Sequence, residues 1–207
     1  MMRTQRLCKW IMVLTILLTL GTIRCVEAEE TTPTATSAMD EAMMEGMKYS
    51  MPGEAHKIFE PMVGLWDITS RMWMKPGDQP QESKGTSDHT WKYDGRFLAM
   101  KFNFEMDGHS MEGVDFLGYD NFRGEYQLTS LNNMSTSMMH MGGGTYDPAT
   151  KTLTIEGKFS CPMTGNKDEW MRSEWIMNSN TQHTYQAFFK DESGKEYKAM
   201  ELVYTKK

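Results

Sequence analysis

From Met62 onward, apolar side chains return at every second position. Leu98, Met100, Phe102, Phe104 and Met106 alternate with Ala99, Lys101, Asn103 and Glu105. Such a segment can bury one face only as a β-strand, because successive strand side chains point to opposite sides. The pattern repeats in Leu153, Ile155, Gly157 and Phe159, in Met200, Leu202 and Tyr204, and in Trp66, Ile68 and Met72. Turn signals separate the runs: Pro76-Gly77, Asp94-Gly95, Asp107-Gly108, Asp120 to Gly124, Asn132-Asn133, Asp147-Pro148, Pro162 to Gly165, Asn178 to Asn180 and Asp191 to Gly194. Asp-Gly between apolar runs favours a tight hairpin, since both residues tolerate positive φ. Nine turns imply ten strands. No helix-length segment interrupts them, which excludes a parallel α/β sheet. The expected fold is all-β, a ten-stranded antiparallel up-and-down barrel, because closure removes the unpaired edges that consecutive hairpins would leave. A sandwich is the alternative.

The region before the strands has a different character. Residues 1–28 read as a secretory signal peptide. Arg3, Arg6 and Lys9 precede an apolar run from Ile11 to Leu20, and Val26-Glu27-Ala28 supplies small residues for cleavage. The run is too short to span a bilayer, which takes about 20 apolar residues. The expected location is therefore exported, periplasmic or extracellular, with no stable membrane span after cleavage. A lipid anchor at Cys25 is disfavoured because Arg24 sits where a small residue is needed. Residues 29–49 read as a disordered acidic leader containing a short helix over Ala38 to Lys48, capped by Ser37. Its methionines, Met39, Met43, Met44 and Met47, could pack as one stripe. After Pro52-Gly53, the spacing of Ala55, Ile58, Phe59 and Met62 predicts a second short amphipathic helix, ending near Pro61. The barrel domain is expected over 50–207.

Composition then excludes several functions. The formal net charge of −6 argues against a nucleic-acid partner, which needs a basic stripe. Of the 3 cysteines, Cys8 and Cys25 lie in the signal, so an intrachain disulfide is not expected. No GxSxG elbow is present, Cys161 lacks a nucleophile motif, and Gly142-Gly143-Gly144 is followed by no Lys-Ser/Thr and helix. Catalysis is the least supported class. The triple glycine is read as a strand bend or bulge.

The order of several short motifs resembles a known family. Pro52-Gly53-Glu54-Ala55-His56-Lys57 and Met62-Val63-Gly64-Leu65-Trp66 open the match. Pro76-Gly77, Gly95-Arg96-Phe97-Leu98, Gly118-Tyr119-Asp120, Gly144-Thr145-Tyr146-Asp147 and Leu153-Thr154 continue it. The chain is similar over roughly 50–205 to the bacterial domain-of-unknown-function family fifteen seventy-nine. That family resembles the calycin superfamily of lipocalin-like barrels, which implies a cup that often holds a small apolar ligand. Trp66 resembles the lipocalin Gly-x-Trp tryptophan that closes the barrel base. A related calycin group binds haem through a histidine near the last strands, and His183 is the only histidine in the C-terminal quarter. The 22 methionines and Cys161-Pro162-Met163 depart from the family pattern.

Three readings of function follow. The first is a carrier of a small apolar molecule in a cavity lined by Trp66, Met72, Trp91, Met100, Phe102, Phe104 and Phe159. His89 shares the phase of Trp91 and is taken as inward. Arg172, if inward, would clamp a ligand carboxylate; the preferred reading turns it outward, paired with Glu174. The second is a copper or haem binder using Met139, His140, Met141 or His183, because thioethers and imidazole suit soft metals. Alternation places Met139 and Met141 on one face and Met138 and His140 on the other. No resident cofactor is expected; haem or copper enters only with this second reading. The third is a barrel filled by its own Met, Phe and Trp side chains, with no ligand.

Overall fold

In the computed structural model the described residues are 35–106, 108–162 and 164–207. The expected signal at 1–28 and the start of the leader lie outside them. The chain divides into two units, Met1–Met39 and Asp40–Lys207, and the barrel belongs to the second. No helix among the described residues is long and apolar enough to cross a membrane.

Ten antiparallel strands form one closed barrel in sequence order. They are β1 (Gly64–Met72), β2 (Gln81–Lys92), β3 (Phe97–Met106), β4 (His109–Asp120), β5 (Glu125–Asn132), β6 (Met139–Asp147), β7 (Thr152–Cys161), β8 (Asn166–Ser179), β9 (Gln182–Lys190) and β10 (Glu196–Lys206). β1 closes on β10, with Trp66 opposite Lys206 and Met72 opposite Met200. The alternation read from sequence is the burial pattern observed: in β1, Trp66, Ile68 and Ser70 are buried while Leu65, Asp67 and Thr69 are exposed. The Asp94-Gly95 turn takes positive φ at both residues, 55° and 86°. The triple glycine is a bulge. Register against β5 shifts between Tyr126 and Leu128, and Gly143 sits at φ 73°. A Cβ on Gly144 would lie 2.8 Å from the Tyr126 carbonyl oxygen, so the two backbones can approach only without one.

The helices differ from expectation. α1 runs Ala35–Met47, so Ser37 lies inside it and not at its cap. Its methionines do not pack: Met39, Met43, Met44 and Met47 are 60–75% exposed. The second helix, Glu54–Met62, is a 3₁₀ helix. Its buried side chains are His56, Phe59 and Met62, spaced by three as a helix of three residues per turn requires. His56, which the helical reading would leave exposed, is buried, and its Nδ1 accepts the Gly53 N–H at 3.1 Å. This helix plugs one end of the barrel. Phe59 and Met62 are fully buried in the main core with Leu98, Leu117, Leu128, Leu153 and Trp175. Phe59 meets Trp91 and Tyr126 edge-on, and the Tyr126 hydroxyl donates to the Ala55 carbonyl at 3.0 Å. The segment leading into the plug is strapped down. Arg96 Nε donates to the Ser50 carbonyl at 2.7 Å, and Asn121 Nδ2 to those of Tyr49 and Met51 at 3.0 and 2.8 Å.

Toward the opposite end the inner face is mixed: Phe104 stays buried, while other inward side chains are partly exposed. Met72, Phe102, Phe159, Phe189 and Met200 share this state near the opposite end.

Candidate functional site: a polar cluster inside the barrel

The sequence of β1 and β2 sets two hydrogen-bond donors beside the end of the plug. Trp66 Nε1–H and His89 Nδ1–H both donate to the Met62 carbonyl, at 2.8 and 2.9 Å. A carbonyl only accepts, so His89 carries its proton on Nδ1 and presents a bare lone pair on Nε2. That nitrogen is buried and has no partner among the described residues. His183 of β9 stands next to it, with ring centroids 5.4 Å apart. His183 meets Trp66 edge-on at 4.4 Å and stacks on Tyr204 at 4.3 Å. Neither of its nitrogens finds a partner. Burial lowers both imidazoles, His89 to about 4 and His183 to about 3, the latter helped by His89 and Lys206. Both are neutral at pH 7.

Asp115 of β4 faces the same interior. It lies opposite Met100 on β3 and Ser130 on β5, and both are buried. Asp115 as a whole is partly exposed, but its Oδ1 is fully buried and unpartnered. Burial pushes its carboxyl up to about 6, with the Ser130 hydroxyl offsetting part of the rise. Two tyrosines lie within its electrostatic reach. Tyr185 is held well above its ordinary range by burial and by the Asp115 charge, against the pull of its 3.2 Å bond with Ser173 Oγ. Tyr204 is raised likewise by burial, Asp115 and Tyr185. Ser70 Oγ is a further buried orphan.

A buried polar atom without a partner costs about 1–3 kcal/mol. Ser70 Oγ, His89 Nε2, Asp115 Oδ1 and both nitrogens of His183 find no partner within the described residues, so each calls for water or a ligand. Two grooves of about 360 and 300 Å³ flank the plug on the outside, the second lined by Trp91. Neither includes these atoms. Shape and chemistry therefore point to different places: the grooves lie outside the barrel and the unpartnered polar atoms inside it.

The residues singled out from sequence divide accordingly. Trp66, His89, Met100 and Phe104 are buried in the interior; Met72, Trp91, Phe102 and Phe159 are inward and partly exposed. Arg172 is not in the lumen. Met171, Ser173 and Trp175 take the inward phase of β8, which leaves Arg172 outside. There it pairs with Glu174 and, through Nη2 at 2.9 Å, with Glu196, its guanidinium 4.0 Å over the Phe188 ring. The methionine-rich stretch also divides by face. Met141 is buried and Met139 partly so, while His140 is exposed and bonded to Thr129 at 2.9 Å. His140 thus shares no face with the two methionines, and His183 stands with His89. Among the described residues, no three His, Cys, Asp or Glu side chains group as a metal would need. Sequence reasoning missed Ser70, Asp115, Ser130, Ser173 and Tyr185 as interior residues. The signal was present: Asp115 is in phase with Leu117, and Ser70 with Trp66 and Ile68.

Fold and site together define a class: a closed ten-stranded antiparallel barrel, plugged at one end, with a polar cluster inside. The family described as "Protein of unknown function (DUF1579)" matches residues 51–206, and the chain belongs to it. Its fold is similar to that of Rv2717c from M. tuberculosis, at TM-score 0.51 and 13% identity, over 76% of this chain and 99% of that one. A redesigned β-barrel is similar at TM-score 0.37 and 13% identity, over 72% of this chain and 93% of that one. A search of curated proteins finds no match.

Proposed function

We propose that the barrel binds a small, largely apolar molecule in its lumen, and that the chain is exported to do so. The carrying observation is that buried polar atoms of His89, His183, Asp115 and Ser70 find no partner within the described residues, inside a barrel whose inner face is mostly apolar. Ligand sites have this composition: mostly apolar surface with a few convergent polar groups that fix orientation. Native interiors satisfy nearly all their polar groups, so orphans on the inner face of one barrel call for partners from outside the chain, bound water or a ligand. The plug seals one end, and the partly exposed side chains at the other mark the way in. Export rests on the residues of 1–28 alone.

Native mass spectrometry of the purified chain, alone and after incubation with 1-decanol, tests the binding reading. A one-to-one adduct is expected. A bare mass in both samples would sink it. A copper mass or a visible Soret band on the purified protein would replace it with a metal or haem site at the same histidines.

A further inference from the structure

The cluster has a sign as well as a place. His89 Nε2 can only accept a hydrogen bond, since Nδ1–H is committed to the Met62 carbonyl. Asp115 Oδ1 can only accept when ionised. Ser70 and neutral His183 can do either. Acceptors therefore exceed obligatory donors among the orphaned atoms. Charge points the same way. Asp115 is a buried carboxylate with no cation beside it among the described residues; its environment is burial and the Ser130 hydroxyl. Lys206, whose charge acts on His183, is exposed at the plugged end, with Nζ 5.3 Å from the Trp66 ring. Tyr185 and Tyr204 lie within reach of the Asp115 charge, and aromatic rings attract cations.

His89 and Asp115 lie in one row of the ladder, with Met100 between them. Two strand spacings separate their backbones by about 10 Å, and inward side chains converge from there. Toward the far end, Phe102 and Met200 offer apolar surface. From this arrangement, and resting on the lumen-binding reading above, we infer that the ligand is an organic cation: a protonated amine on an apolar body, with Asp115 as its counter-ion and His89 Nε2 as a second acceptor. An anionic lipid is disfavoured by the same atoms, because its carboxylate would meet Asp115 and a bare lone pair, while Arg172 lies outside the barrel.

Three probes with one ten-carbon tail separate the possibilities: decylammonium, 1-decanol and decanoate. Each is titrated into the purified chain at pH 7 by calorimetry, decylammonium and decanoate below their micellar concentrations and 1-decanol below its solubility limit. Decylammonium should bind at least tenfold more tightly than 1-decanol, and decanoate most weakly. Asp115→Asn should bring decylammonium down to the level at which 1-decanol binds the same variant, whereas a preference due to the acidic exterior would survive the substitution. Decanoate binding as well as decylammonium would overturn the inference, as would a preference that survives Asp115→Asn. Equal binding of all three would sink the amine and leave the lumen reading standing. Binding of none would sink both. If the variant folds poorly, the ranking in the unaltered chain is repeated at high salt, which screens the exterior; a preference for decylammonium that vanishes there overturns the inference.

Discussion

Asp115 and the two lumenal histidines titrate in opposite senses. Asp115 is raised from 3.8 to about 6, so the unfolded chain releases its proton first and stability falls as pH rises between those values. His89 and His183 are lowered from 6.5 to about 4 and about 3. The unfolded chain then takes up protons that the fold refuses, and stability is lost as pH falls below 6.5. At 1.36 kcal/mol per pH unit, Asp115 costs roughly 3 kcal/mol at pH 7, and each histidine costs at least as much once pH has dropped below its folded value. Two histidines outweigh one carboxyl. Urea denaturation should therefore show stability rising from pH 4.5 to 6.5. Asp115→Asn should make that rise steeper and stabilise the chain at pH 7 by up to about 3 kcal/mol. A flat profile in both proteins would show that these groups are wetter than the structure has them.

Among the elements, the plug helix matters most to the site, since its last carbonyl orients both Trp66 and His89. Phe59 anchors it in the core. Phe59→Ala should cost about 3–5 kcal/mol in denaturant and shift the tryptophan emission, because the seat of Trp66 loosens with the plug. A loss below about 1 kcal/mol would mean that the plug is held elsewhere. The elements also show what the sequence could disclose. Strands were legible because one face is dry and one wet, so burial writes a period of two into β1, β3 and β7. The plug was legible as a helix and not as a 3₁₀ helix, because Ala55 and Ile58 fit one period while His56, Phe59 and Met62 fit the other. α1 was placed to within three residues at its start, but its methionines gave no sign that they would remain exposed. The polar interior was hidden for a different reason. Reading alternation through apolar residues selects the core and passes over Ser70, Asp115 and Ser173, which occupy the same phase. Arg172 had the reverse difficulty: Trp170 and Ile176 give the outer face of β8 an apolar look, so the faces separate only once the neighbouring strands are in place.

The whole molecule depends on a single long-range closure. β1 and β10 stand at the two ends of the barrel sequence, and their pairing completes the sheet. Leu202 and Tyr204 of β10 also cover Trp66 and Ile68. A chain ending at Lys195 would leave β1 and β9 as open edges and this smaller core uncovered. It should fail to form a monomeric barrel, which gel filtration and near-ultraviolet circular dichroism would reveal as aggregate with no aromatic signal. A soluble, ordered truncation would show that the remaining strands close without it. Because that contact joins residues far apart in sequence, refolding should be slow for a chain of this size.

The strap, the plug and the last strand share a further consequence. Residues 49–51 are tied down at the plugged end, and at that same end the Lys207 N–H reaches the Leu65 carbonyl at 2.9 Å. The barrel's chain thus enters and leaves at one pole. An affinity tag or surface linkage fused behind Lys207 would grip the sealed pole and present the other to solution, so the protein can be immobilised for ligand screening without its own tether standing in the doorway.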